Sequence, residues 1–507
     1  MELGYTNCPM SFRSEVLRHK ILYFLLGVII LIAFILRIWR VGQILAFHFD
    51  QGRDALVIWD LWHSGKLFMI GPTTGIEGIF RGPFYYYLIA PFYLLGGGNP
   101  IYPAIFLAFL SVLALMVMYF IGYKISGKTT GLIAVILGAF SFAIIYSSRW
   151  LSNPTPMLLL SMLLVLFMVL LTEAKKRTRQ TDLLWVGIAF IAGLSQFHFG
   201  SSGEFFYFPA LAAFAIWQRK KLPKIRNIIW PILVFISTAL PLIIFDLRHG
   251  HILLKNLLDF LSGESALGSS IGGMLQRRLD LYYEVFSQKF FPEIGPLQKL
   301  LFGTLGLVTT LSLPRLMKND KFKVVILMTA APFIGFLFFQ GNYGNVYDYY
   351  FTGYYLIFLL FVATVLGYLW NNIFGKIFVI VFLIIFLSAN WATTQNYLST
   401  NVNLNNQIMF ANQKEAIEWI YADAGGKEFN VDVYVPPVIP YSYDYLFTWK
   451  PNPNLVDHQV PLLYTLFEVD PPHPERLQKW YDRQEGIGIS ENQKSFGGIT
   501  VQRRIRI

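Results

Sequence analysis

The chain has 507 residues, 55% of them hydrophobic and only 14% charged, with a mean hydropathy of +0.49. Soluble domains carry roughly a quarter charged residues, so a soluble enzyme is excluded. The net charge of +11 does not point to nucleic acid, because the basic residues cluster in five runs flanking apolar stretches, Arg13–Lys20, Lys124–Lys128, Lys175–Arg179, Arg219–Arg226 and Arg315–Lys323, whereas 392–507 holds ten Lys/Arg against thirteen Asp/Glu.

The first apolar run, Ile21–Leu36, follows basic residues but is succeeded by Arg37, Trp39 and Arg40 rather than a small-residue cleavage site, and reads as a retained anchor. Eleven segments reach or approach the length a spanning helix needs: 21–43, 101–123, 130–148, 155–172, 183–199, 204–218, 228–245, 298–313, 323–340, 351–370 and 374–391. A further apolar segment, Pro83–Leu95, is too short to cross comfortably. Counting it as a span would also put Lys175–Arg179 outside, against the retention of Lys and Arg on the cytoplasmic side. Read as an interfacial helix, it leaves every basic run inside. The N-terminus is then cytoplasmic, and four regions face outward: loop 44–100, loop 246–297, the polar-aromatic loop 341–350 and the tail.

The expected architecture is an all-α polytopic membrane module, 1–391, followed by a small extracytoplasmic α/β domain, 392–507. In the tail, Gln413–Ala422 has helical spacing ended by Gly425–Gly426, and Val431–Val435 reads as a strand broken by Pro436, Pro437 and Pro440. Cys8 is the single cysteine, so the tail folds without a disulfide.

The outer face collects the polar residues. His48-Phe49-Asp50-Gln51-Gly52-Arg53-Asp54 opens the first loop and places two carboxylates and a guanidinium within about one helical turn. A carboxylate there can take a proton from an acceptor hydroxyl, and an Arg can hold an anionic leaving group. The structural reading is that Asp50 caps a helix from Gln51 to His63, ended by Gly65; the two roles are compatible. Glu77-Gly78-Ile79-Phe80-Arg81-Gly82-Pro83-Phe84-Tyr85-Tyr86-Tyr87 follows, with Arg81 at headgroup depth, where snorkelling to bulk phospholipid is the plainer role. Arg149, Trp150, Asn153, Gln196, His198, Glu204, Asp246, Arg248, His249 and His251 reach the same face. His198 reads first as a satisfied buried histidine. Asp246, His249 and His251 only faintly suggest a divalent metal site, and no other cofactor is indicated. Tyr343, Tyr347, Tyr349 and Tyr350 suit either sugar stacking or an interfacial belt.

The Asp-led motif opening a long first outer loop, the interfacial Arg-Gly-Pro-Phe-Tyr-Tyr-Tyr and the Asn153-Pro154 beyond the third span together resemble the GT-C glycosyltransferases, in particular glycosyltransferase family 39 with its protein mannosyltransferases and aminoarabinose transferases. The resemblance covers about 45–250 by motif and the remainder by topology. It implies inverting transfer of a sugar from a polyprenyl-phosphate donor to a glycan, lipid or protein acceptor at the cell membrane, on the non-cytoplasmic face. Asp50 matches the presumed base of the family's Asp-Glu pair; Gln51 replaces the Glu, with Asp54 as a substitute acid. Arg81 stands close to the family's basic, phosphate-binding position. The implied site therefore comprises Asp50 as catalyst and Gln51, Arg53, Asp54, Arg81, Arg149, His198 and Arg248 as binding residues. A lipid-linked oligosaccharide flippase is the alternative, although such transporters usually carry charge near the bilayer midplane. A non-catalytic scaffold or an O-antigen-ligase-like enzyme fits less well, because ligases of that kind bear their main outer loop late in the chain.

Overall fold

The computed structural model describes residues 15, 17–74, 78–262, 271–337, 339, 345–404, 406–436 and 439–507, without the side chains of 260–262 and 271–274. Cys8, Arg13, Glu77 and Tyr343 lie outside the described residues.

Long apolar runs with few breakers give long helices: α1 Lys20–Ile38 with a helical turn Val41–Ile44, α2 Phe49–Ser64, α3 Phe84–Leu95, α4 Ile101–Ser126, α5 Lys128–Phe140, α6 Phe142–Ser148, α7 Met157–Glu173 and α8 Arg179–Leu194. A π-helical turn, Ser195–Phe199, extends α8, and α9 Tyr207–Trp217, α10 Ile229–Arg248, α11 Ile252–Ser262, α12 Ile271–Ser287, α13 Pro296–Leu316 and α14 Asp320–Leu337 follow. A 3₁₀ turn, Asp348–Tyr354, leads into α15 Tyr355–Leu369 and α16 Ile373–Leu398. Each of the eleven expected spans lies on one or more of these helices. Six helices among the described residues are long and apolar enough to cross a membrane, or seven if α5 and α6, bent by 63°, form one span. The segments expected at 155–172, 204–218, 298–313 and 323–340 are helices that are too short, too polar or, with Asp320, Lys321 and Lys323 in the last, too charged to count among them.

The bundle has two chemically distinct ends. At one, basic runs meet: Lys128 pairs with Glu15 at 2.6 Å, Glu173 holds Lys124 at 2.9 Å and Lys321 at 2.8 Å, and Lys221 caps the Leu171 and Thr172 carbonyls at 3.0 Å. At the other, α1, α6 and α16 end together. Arg40 donates to the Leu398 and Thr400 carbonyls, and Arg149 donates to those of Leu36, Arg37 and Trp39. Helix α3 stays at this second end: it begins after Pro83, stops at Gly96 and packs on α2, where Trp62 Nε1 donates to the Ala90 carbonyl at 3.1 Å. Twelve residues of helix cover about 18 Å, well short of a hydrocarbon core.

The spans are less free of charge than their composition suggests. Arg37 is wholly buried in α1; it donates to Ser111 Oγ and to the Gly138 and Ala139 carbonyls freed by the break at Ser141, so neutral acceptors satisfy it.

The tail combines α17 Phe410–Ala424, α18 Tyr441–Trp449 and α19 Pro474–Glu485 with β1 Asn430–Tyr434, β2 Leu462–Glu468, β3 Gly488–Phe496 and β4 Ile499–Arg506. Strand order is β1-β2-β4-β3, with β1 parallel to β2 and the other pairs antiparallel. The buried β2, apolar except for Thr465 and Glu468, forms a central strand. Gly425, at φ 57°, ends α17 in the left-handed conformation that favours glycine.

Candidate active site

The first loop and the tail are packed backbone to backbone. Phe410 N donates to the Leu45 carbonyl at 3.0 Å and Gln413 Nε2 to that of Phe47 at 2.9 Å. Tyr445 and Trp449 of α18 bond the Gly98 and Gly97 carbonyls. Gly52 lets α2 lie directly on α18, since a Cβ there would overlap the Ser442 backbone nitrogen. This frame holds α2, and α2 carries the acidic motif.

Asp50 does not cap α2. The N-cap is His48, and Gln51 Oε1 accepts its backbone N–H at 3.1 Å. Asp50 falls in the first turn, where the helix dipole favours a carboxylate. Spacings of three and four residues then align Asp50, Arg53 and Asp54 on one face. Arg53 Nη1 reaches Asp50 Oδ1 at 2.9 Å, while its Nε and Nη2 meet Asp54 Oδ1 at 3.0 and 2.8 Å. Nη1 also donates to Thr73 Oγ1 at 3.1 Å. Two carboxylates thus occupy Arg53, which positions them rather than standing open to a phosphate. Burial lowers the Arg53 guanidinium, but the adjacent Asp54, Tyr86 and Asp50 raise it above its ordinary value.

The two carboxylates differ. The Asp50 side chain is 57% exposed and open to a substrate. Asp54 is buried, and its Oδ1 also accepts Tyr86 Oη at 2.9 Å, which ties α2 to α3. Burial pushes Asp54 up to about 6, with Arg53 pulling the other way. Gln51 is also buried, and its Nε2 donates to the Leu151 carbonyl at 3.2 Å, so the residue standing in place of a second acid is structural.

Arg81 sits beyond the Thr73–Phe80 bridge, in a hairpin closed by Gly71 N to the Arg81 carbonyl and Arg81 N to the Pro72 carbonyl. Its Nη1 donates to the Gln196 carbonyl on the π-helical turn at 3.1 Å. No carboxylate is bonded to it among the described residues, so most of its five donors stay available to an anion. His198 Nε2 bonds the Thr238 carbonyl at 2.6 Å, Nδ1 accepts Phe84 N at 3.4 Å, and the ring stacks on Phe84. Gly82 makes room for it, since a Cβ there would strike the imidazole. His198 is therefore a satisfied buried histidine pinning the start of α3.

Two expected binding residues lie apart from this cluster. Arg149 is buried at the end of α1, over the Tyr397 ring. Arg248 is exposed at the end of α10, and no hydrogen bond or ion pair joins it to Asp50, Arg53 or Asp54 among the described residues. Asp246 Oδ1 accepts Leu253 and Leu254 N–H groups at the start of α11, and His249 stacks on Phe245. The weak metal reading of Asp246, His249 and His251 is not carried further: no group of three His, Cys, Asp or Glu able to hold a metal occurs among the described residues.

Residues 81–245 match the family model described as "Dolichyl-phosphate-mannose-protein mannosyltransferase". No curated protein sequence matches. ArnT from Cupriavidus metallidurans in the apo state superposes with a TM-score of 0.61 at 9% identity, over 96% of this chain and 98% of that one. The same enzyme bound to undecaprenyl phosphate gives 0.56 at 9% identity, over 95% and 97%. The archaeal oligosaccharyltransferase AglB from Archaeoglobus fulgidus, in complex with an inhibitory peptide and a dolichol-phosphate, gives 0.51 at 13% identity, over 94% and 73%. The chain has the GT-C fold. With the family match over α3 to α10, it is a multi-pass membrane glycosyltransferase. Two features near this end of the bundle are not singled out by the sequence. Tyr86 stood within an aromatic triplet read as interfacial, and nothing in the sequence pairs Lys289 with Asp348.

Proposed function

We propose that this glycosyltransferase moves a sugar from a polyprenyl-phosphate carrier to an acceptor hydroxyl, with inversion, on the non-cytoplasmic side. The observation that carries the reading is a division of labour at one end of the bundle: an exposed carboxylate, Asp50, aligned by an Arg that is already neutralised, and a second Arg, Arg81, with no bonded carboxylate among the described residues. The ArnT structure holding undecaprenyl phosphate and the AglB structure holding a dolichol-phosphate support a lipid-phosphate donor. The basic runs gathered at the opposite end support the outward orientation.

In this reading the acceptor oxygen attacks the anomeric carbon as the carbon–oxygen bond to phosphate breaks. The acceptor proton passes to Asp50, and Arg81 neutralises the departing lipid phosphate. Asp54 and Arg53 orient Asp50. The test is to incubate purified protein with a panel of polyprenyl-phosphate sugars and follow donor consumption. Turnover of at least one donor, lost in Asp50→Asn and in Arg81→Ala, is the expected result. A protein that consumes none of them but moves lipid-linked saccharide between leaflets would be a flippase.

A further inference from the structure

The aromatic residues at the loop end form a fixed surface. Tyr347 and Tyr349 stack with centroids 5.8 Å apart and planes 7° from parallel, and Trp150 meets Tyr349 edge-on at 6.1 Å. Tyr350 backs them from the core, with ring centroids 4.8 Å from Tyr349 and 5.6 Å from Tyr347. Tyr350 is 4% exposed, whereas Tyr347 and Tyr349 are 47% and 41% exposed.

Interfacial belt residues need only a depth in the bilayer. Here the backbone beneath the rings is locked by buried polar groups. Glu204 accepts Gly353 N at 3.0 Å and Ser201 N at 2.6 Å, and Ser201 Oγ reaches the Tyr349 and Tyr350 carbonyls at 3.3 and 3.2 Å. Tyr207 and Tyr354 bond across the same junction, and the buried Lys289 holds Asp348 at 2.7 Å. Gln51, next to Asp50, donates to the carbonyl of Leu151, next to Trp150, at 3.2 Å, and Arg81 donates to the Gln196 carbonyl at 3.1 Å on the turn that leads to Ser201 and Glu204. The wall is therefore tied to both segments that carry the groups assigned to the transfer.

We propose that Trp150, Tyr347 and Tyr349 form a carbohydrate platform, on which the apolar C–H face of a pyranose ring packs while its hydroxyls face Asp50. Flat, rigid aromatic faces with polar groups at their rim suit such a ring. The inference rests on the transfer reading. The ring belongs to the donor or to a glycan acceptor, and kinetics separates the two.

The experiment uses the full chain in nanodiscs, with Tyr349→Leu, Tyr347→Leu and the ring-preserving Tyr349→Phe, each checked for an unchanged melting temperature. Donor KM and acceptor KM are measured with the turned-over polyprenyl-phosphate sugar, and saturation-transfer NMR is run with methyl pyranosides and with a Ser/Thr peptide. A rise of roughly tenfold in donor KM for the Leu variants, restored by Phe, assigns the donor ring to the platform. The same rise in acceptor KM assigns a glycan acceptor. Wild-type turnover with neither KM altered overturns the platform, as does Tyr349-dependent binding of the peptide but not the pyranosides. If wild type consumes no donor yet binds pyranosides in a Tyr349-dependent way, the transfer reading fails and the platform stands.

Discussion

The two regions that meet the first outer loop, the tail and segment 246–262, are built on opposite plans. The tail meets the first loop through hydrogen bonds to the main-chain carbonyls of Leu45, Phe47, Gly97 and Gly98 and through the close approach of α2 to α18 at Gly52. In segment 246–262, Asn256 Nδ2 donates to the Gly78 carbonyl of the first loop at 3.0 Å, while Leu254 and Leu258 stay 50% and 55% exposed. The helix carrying Asp50 is held by a rigid frame, whereas α11 presents leucines to its surroundings, as a helix lying in a bilayer surface does.

The docking of the tail depends most on Gly52. Gly52→Val places branched carbons where the Ser442 backbone lies, so α18 must separate from α2. Transfer should fall at least about a hundredfold, and limited proteolysis should release the tail as a fragment. An intact tail with full activity would show that the docking is incidental.

Asp54→Asn should have a smaller, pH-dependent effect. The wild-type carboxyl titrates at about 6, so acidification through that value removes the charge that helps Arg53 hold its place. Wild-type turnover should decline as pH drops below about 6, and the Asn variant, reduced roughly tenfold, should lose that limb of the profile.

Glu468 sharpens the frame side. It is buried at the end of β2, accepts Tyr443 Oη at 2.8 Å and is pushed by burial up to about 7 from an ordinary 4.5. Tyr443 and the neighbouring Gln413 pull the other way, but burial outweighs them. Because the folded value is the higher, folding takes up a proton between about pH 4.5 and 7, and stability declines as pH rises through that window. Glu468→Gln should therefore match wild type near pH 5 and be more stable at pH 8, by up to about 3 kcal/mol, with a higher melting temperature. Thermal unfolding at the two pH values checks the sign.

The smallest effect is expected in α11. Leu254→Ser with Leu258→Ser should leave melting unchanged and raise donor KM only a few-fold, because half or more of each side chain lies exposed rather than packed on the fold.

Local rules carried much of the fold. Apolar run lengths located the helices, Gly65, Gly96 and Gly425 marked ends, and charge counting kept α3 at one end of the bundle. The i, i+3 and i+4 spacing put Asp50, Arg53 and Asp54 together for the same reason. Distant partners were not legible. Arg149 reads as a site cation by position, yet its guanidinium is spent on carbonyls 110 to 113 residues away. Gln51 reads as a lost acid but serves the His48 N–H and the Leu151 carbonyl. The strand order of the tail depends on the β1–β2 crossover, which pairs strands about thirty residues apart. In the hairpin, Gly497 and Gly498 between β3 and β4 were a usable turn signal.

The most direct test of the central claim is donor consumption by Asp50→Asn in nanodiscs, beside wild type and with an accepted polyprenyl-phosphate sugar. Asn keeps the shape and can still accept from Arg53, but it cannot take a proton at working pH. Loss of transfer by at least about a thousandfold, with unchanged melting and donor binding, is the predicted result. Transfer within a few-fold of wild type would contradict the assignment of Asp50 as the base.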